Sequence, residues 1–230
     1  MIRNLFRCHR DQKGITGLET AIILIAFVVV AAVFAYTVLS AGLFSTQKSS
    51  EAVYNALEEA SNTLETRGSL IAYQGTAAID STVGKVEFTV TNATSKGTQA
   101  VDLTAPYSLV AGALTKDAVH GLSTPTQISF SDGNVTLPRC AWTLSWVGKH
   151  DPADDTDFLL EPGEQAVITV WLHTWNGTIW ADGTEADGFL ATNNVDAYNT
   201  FTLEVKAPTG AVLTLQRTTP AMLDTVMDLH

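Results

Sequence analysis

The hydrophobic pattern divides the chain into two unlike parts. From Ala21 to Tyr36 sixteen hydrophobic residues follow one another without a break, and Thr37, Val38 and Leu39 extend the stretch to nineteen. At roughly 1.5 Å per residue, a helix of that length is about enough to cross the hydrocarbon of a bilayer. Val and Ile dominate it, with Ala26, Ala31, Ala32 and Ala35 scattered among them. It is apolar all round, so no periodicity marks one buried face, and such a helix must be surrounded on every side, by lipid or by other helices. Past Gly42 the pattern becomes amphipathic. Val53, Leu57, Ala60 and Leu64 recur at intervals of four, three and four, leaving Glu51, Glu58, Glu59 and Glu65 free to face outward. This stripe is expected to pack on the folded region of its own chain, with Gly42 a bend point and Gly68 the stop. The expected helix covers residues 15–67, roughly 80 Å at helical rise.

From Ser69 onward the period changes to two. Lys85–Val90 places Val86, Phe88 and Val90 on one side, and Thr200–Val205 does the same with Phe201, Leu203 and Val205. Gln165–Trp175 reads as a longer strand. Turn pairs punctuate these runs: Asp132-Gly133, Pro162-Gly163, Asn176-Gly177, Asp182-Gly183 and Asp187-Gly188. Asn176-Gly177 between two Trp-rich runs is a strong hairpin signal. The expected fold class is therefore α+β: a long N-terminal hydrophobic helix, then an antiparallel β-sandwich or barrel, plausibly immunoglobulin-like, over residues 68–230.

Charge sharpens the division. The net charge is −11; Arg3, Arg7, Arg10 and Lys13 against Asp11 give residues 1–14 a charge of +3, so the remainder carries −14. An acidic exterior argues against nucleic acid as a partner, because phosphate binding needs clustered Lys and Arg. It suits a surface kept soluble by repulsion. The basic segment precedes the apolar run, and no Ala-x-Ala site follows that run, so the order is not that of an ordinary secretory signal. Read from the residues alone, an uncleaved signal anchor with its basic end in the cytoplasm remains open.

The segment Lys13-Gly14-Ile15-Thr16-Gly17-Leu18-Glu19, followed by the apolar run, resembles the class III signal peptide of archaeal type IV pilin-like proteins, and the archaellins of methanogens in particular. The resemblance is specific over residues 12–50. It implies that a prepilin/preflagellin peptidase cuts between Gly14 and Ile15, removing residues 1–14 and keeping the helix as the new N terminus. Gly17 and Glu19 match the glycine and the acid of the family's N-terminal motif. Ile22, Ile23, Ile25, Phe27, Val30, Val33 and Phe34 would form the filament core after serving as membrane anchor. Cleavage would also create an α-amino group at Ile15, one helical turn from Glu19. That amine could pair with Glu19 of its own subunit or of a neighbour; alternatively Glu19 is a solvated acid favoured by the macrodipole near a helix start.

The resemblance implies a structural subunit of the archaeal flagellar (archaellum) filament, a homopolymer on the cell surface that is handled by assembly and motor machinery in the membrane. A subunit of an adhesive archaeal type IV pilus is the alternative, and a signal-anchored surface enzyme or binding module a third class. Against an enzyme, the chain holds no HExxH, Walker loop, GxSxG, CxxC or Rossmann fingerprint, and no cofactor is expected. His120, His150 and His173 lack ligand spacing and are expected on solvated or strand-face positions. Asp151, Asp154, Asp155 and Asp157 offer oxygens of the kind Ca²⁺ takes, but without an EF-hand's glycine and twelfth-position acid a solvated acidic loop is expected. Cys8 lies in the leader, which leaves Cys140 as a small buried apolar residue. Asn92, Asn134 and Asn176 head acceptor sequons at expected turns or strand ends, and the resemblance implies N-glycosylation there.

Overall fold

The computed structural model describes residues 8–61, 63–75, 82–93, 100–148, 157–191 and 195–229. It contains two compact units, Met1–Asn55 and Ala56–His230. The first is built on one helix, α1 (Cys8–Ser61), which continues unbroken through Gly42.

The second unit holds the strands. In chain order these are β1 (Leu64–Gln74), β2 (Val83–Asn92), β3 (Val101–Asp102), β4 (Tyr107–Val110), β5 (Ala113–Lys116), β6 (Gln127–Ser131), β7 (Thr136–Leu137) and β8 (Ala141–Trp146). They continue with β9 (Leu159–Leu160), β10 (Gln165–Trp171), β11 (Thr174–Trp175), β12 (Trp180–Ala181), β13 (Thr200–Lys206), β14 (Leu213–Thr218) and β15 (Val226–Leu229). A five-stranded sheet has the order β15-β1-β2-β10-β8, and a four-stranded sheet the order β14-β13-β6-β7. All pairings are antiparallel. Among the described residues no ladder joins the two sheets, so the arrangement is a sandwich and not a closed barrel.

Register follows the period-two pattern. Val86, Phe88 and Val90 of β2 stand opposite Val170, Ile168 and Ala166 of β10. Leu203 and Val205 of β13 stand opposite Phe130 and Ile128 of β6. All ten are buried in one continuous core, where the Phe130 and Phe201 rings stack with centroids 5.8 Å apart.

The helix ends earlier than its spacing predicts. It stops at Ser61, and Leu64, the fourth residue of the expected stripe, is the first of β1, only 3% exposed and paired with Asn92. Burying Leu64 in the sandwich outweighs one more helical turn whose Val53 and Leu57 side chains are exposed. Gly68 is therefore no helix stop. Its φ of +85° lies within β1, where the register shifts between Arg67 and Ile71, a position that asks for glycine at a bulge.

A second, smaller core lies on the other face of the five-stranded sheet. In β10, Ala166, Ile168 and Val170 point into the main core, so Trp171 points away from it by strand alternation. There it clusters with Tyr107, Ala141, Trp180 and Phe189. The ribbons β4–β5 and β11–β12 bring Leu114 and Trp175 against this cluster. The Trp171 and Trp175 rings lie 5.6 and 4.9 Å from Trp180, and Trp171 Nε1 donates to Thr143 Oγ1 at 3.0 Å. Gly84 makes room for this layer: a Cβ there would sit 3.0 Å from the Trp180 ring.

Candidate functional site

Helix α1 presents an apolar surface in every direction. Ile22, Ile23, Leu24 and Ile25 are successive residues and so point to four sides of the helix, yet all are exposed. The residues predicted for a filament core, Ile22, Ile23, Ile25, Phe27, Val30, Val33 and Phe34, are each between 58% and 75% exposed. From Gly17 to Leu57 the helix is long and apolar enough to cross a membrane.

Its backbone and its threonine hydroxyls find their partners within the helix. The i→i−4 backbone ladder satisfies the peptide groups of the helix body. Thr20, Thr37 and Thr46 donate their hydroxyls to the carbonyls of Gly17, Phe34 and Leu43 at 3.0, 2.8 and 2.9 Å. A buried hydroxyl without a partner would cost roughly 1–3 kcal/mol, and these bonds remove that cost for whatever surrounds the helix. What α1 lacks is apolar cover, not hydrogen bonds. Past the apolar stretch, Lys48 Nζ meets Glu51 at 2.5 Å on consecutive turns.

The proposed cut between Gly14 and Ile15 falls within the backbone of α1. Gly17 and Glu19 are exposed, and a Cβ at Gly17 would meet nothing within 4 Å.

The three sequons differ. Asn134 is exposed between β6 and β7, in a turn where Asp132 Oδ1 accepts the N–H groups of Asn134 and Val135, both at 2.7 Å. Asn176 is exposed in the β11–β12 hairpin, its Oδ1 accepting the N–H groups of Thr178 and Ile179 at 3.0 and 2.9 Å. Asn92 is only 4% exposed at the end of β2, because its strand lies between β1 and β10.

Pro162-Gly163 forms the turn read from the sequence: Glu164 N donates to Glu161 O at 3.2 Å and Gly163 has φ +96°. Cys140 is buried, and burial pushes its thiol up to about 12, which leaves it protonated and unreactive. Among the described residues no group of three or more His, Cys, Asp or Glu could hold a metal ion. Asp151, Asp154 and Asp155 lie outside the described residues, as does His150. The Asp157 carboxylate accepts Leu159 N–H at 3.2 Å.

His173 departs from its expected place. It is only 1% exposed, and neither ring nitrogen has a hydrogen-bond partner among the described residues. Asp182 Oδ1 lies 3.5 Å from Nδ1. Burial holds the imidazole below its ordinary value of 6.5, with the Asp182 charge partly opposing. Alternation beyond β10 did not reveal this, because Leu172 and His173 both donate their backbone N–H to Gly84 O and leave the regular ladder.

Residues 14–217 match the family model described as archaeal-type flagellin. The chain is 37% identical over 220 residues to probable flagellin 2 of Archaeoglobus fulgidus, covering 93% of each chain. It is 32% identical over 220 residues to probable flagellin 1 of Aeropyrum pernix, covering 94% of this chain and 96% of that one. Among solved structures it is similar to the archaeal flagellum of Methanospirillum hungatei, with a TM-score of 0.55 and 27% identity, covering 93% of this chain and 98% of that one.

Proposed function

Because the chain belongs to the archaeal-type flagellin family and is a structural subunit of an archaeal flagellar filament, we propose that α1 is the surface through which its copies join. The pilus alternative loses its ground, since the relatives are flagellins. The single observation that carries the proposal is the exposure of Ile22 to Phe34 on all sides of a helix whose threonine hydroxyls are already satisfied.

The physical sequence is short. Burying a large apolar side chain from water is worth roughly 1.5–3 kcal/mol, so the exposed helix is unstable in water and is held in lipid first. Moving from lipid into a bundle of identical helices exchanges one apolar environment for another at little hydrophobic cost. Close packing of helices at Ala26, Ala31, Ala32 and Ala35 then selects copies over lipid. Removal of residues 1–14 by a prepilin/preflagellin peptidase takes away the +3 segment that would otherwise have to enter the bundle. The family match beginning at residue 14 supports that cut. The β unit is displayed outward, with Asn134 and Asn176 as the accessible glycan acceptors, and the filament is turned by motor machinery in the membrane. The protein acts by polymerising and not by catalysis.

The test is the mass of the native N terminus together with electron microscopy of sheared surface fibres. The mature chain should begin at Ile15 and reside in the fibres. A chain beginning at Met1 in those fibres would remove the cleavage step; a chain found only as a membrane monomer would remove the assembly surface itself.

A further inference from the structure

Two hairpin turns of the β unit touch, and the sequon of Asn176 lies at their contact. A Cβ at Gly177, in the β11–β12 turn, would sit 3.6 Å from the carbonyl of Gly112 and 3.7 Å from Ala113 N in the β4–β5 turn. Successive Cα atoms are about 3.8 Å apart. Val110 and Ile179, each two residues from this contact, and Asn176, one residue from it, therefore belong to one small area. Val110 is 57% exposed and Ile179 47%. An exposed apolar patch on a chain of net charge −11 asks for cover.

The β11–β12 turn also fixes the direction of the Asn176 amide. Its Oδ1 accepts the N–H groups of Thr178 and Ile179 at 3.0 and 2.9 Å, and only the oxygen of a carboxamide can accept. Nδ2, on the other side of the carboxamide carbon, is thereby turned away from the turn backbone, and the residue is exposed. At Asn134 the corresponding acceptor is Asp132 Oδ1, so that turn holds a neighbour's side chain and not the sequon's own.

We infer that a glycan on Asn176 lies over Val110 and Ile179 and is the cover of the paired hairpin turns. This rests on the reading above of Asn176 as an accessible glycan acceptor, and adds to it what the glycan does. Attachment joins Asn176 Nδ2 to the anomeric carbon of a sugar carried on a phosphate donor. The carbon–oxygen bond to phosphate breaks, the phosphate leaves with that electron pair, and Nδ2 gives up one proton. A pyranose ring has faces of C–H groups and a rim of hydroxyls, so it removes apolar side chains from water while its own polar groups stay hydrated. Because the sugar is tethered one residue from the contact, its effective concentration at the patch is high.

The test uses filaments of the full chain carrying T178A, T178S, or T178A together with V110T and I179T. Thr178 enters the turn through its backbone N–H, so T178A removes the sequon and keeps the turn, while T178S retains both. Peptide mass spectrometry should find sugar on Asn176 in the unaltered chain and in T178S, and none in T178A. Fluorescence of an anilinonaphthalene sulfonate dye on the filaments should rise in T178A, stay at the parent level in T178S, and return to that level in the triple variant. Sugar on Asn176 without a rise in T178A overturns the covering role alone, as does a rise that persists in the triple variant. Bare Asn176 in unaltered filaments overturns the acceptor reading as well. Independently of T178A, the pair V110T and I179T in the glycosylated chain should leave the dye signal unchanged, because the patch is already covered; a fall overturns the inference.

Discussion

Ile22 to Phe34 in α1 and Val86, Phe88 and Val90 in β2 are alike apolar, yet the first remain exposed on all sides and the second are buried. The difference lies in where each backbone finds its hydrogen bonds. A helix closes its ladder within itself and so exists without a neighbour, leaving its side chains uncovered. A strand must find other strands, and in doing so brings Ile168 and Val170 beside Phe88 and Val86. One region is complete in its backbone hydrogen bonds and incomplete in its apolar cover; the other completes both at once. On the proposed assembly, that asymmetry leaves the first to be covered by copies, whereas the second finds its cover within its own chain.

Placing a charge in the uncovered region should have the largest effect on assembly and almost none on folding. V30D buries a carboxylate in the helix bundle of every subunit, a cost of several kcal/mol per copy. Filaments should vanish by electron microscopy while the β unit melts as before; filaments of normal length would break the contrast drawn here. The reciprocal change is F130A in the sandwich core. Losing a ring that is fully buried against Phe201 should cost the β unit about 3–5 kcal/mol in chemical denaturation. A loss below about 1 kcal/mol would show that the core is not close-packed.

His173 sharpens the picture of the second core. Its folded form binds protons less readily than an ordinary imidazole, so the unfolded chain takes up more protons below pH 6.5. Stability of the β unit should therefore fall as pH drops below 6.5, and H173L should flatten that dependence. A parallel pH profile in the variant would mean the ring is protonated without penalty. The exposed acids titrate in a separate window. Asp187, held low mainly by its hydrogen bond from Lys116, and Glu204, held low mainly by that from Lys206, lose their contribution below their ordinary values of 3.8 and 4.5.

The smallest effect belongs to T37V. Because Thr37 bonds to Phe34 O in its own helix, removing the hydroxyl should leave the heat stability of filaments indistinguishable from the parent. A clear drop would show that the hydroxyl reaches a neighbouring subunit instead.

Legibility in the sequence followed the range of the interactions. The turns at Pro162-Gly163 and Asn176-Gly177 could be read because their backbone demands are met by two adjacent residues. The inward faces of β2 and β13 could be read because alternation is a local pattern. Leu64 could not. Its spacing fits the helix stripe, and only pairing with Asn92, twenty-eight positions along the chain, draws it into a strand. Asn92 ends β2, the strand end read for it, but its burial depends on the neighbouring strands and could not be read locally. No local signal gathers Tyr107, Trp171, Trp180 and Phe189 into a second core, or buries His173 beside Asp182.

By itself, the order of residues determined that an apolar helix leads the chain, that an antiparallel β region follows, and which motif ties residues 14–19 to its family. Each of these rests on neighbours within about one or two turns of helix or strand. Tertiary structure alone decided where the helix yields to β1, that the sheets form a sandwich without closing, and that the β4–β5 hairpin packs on a second core. Those outcomes depend on which distant segments compete for the same apolar cover, and that competition is settled only when the whole chain is packed.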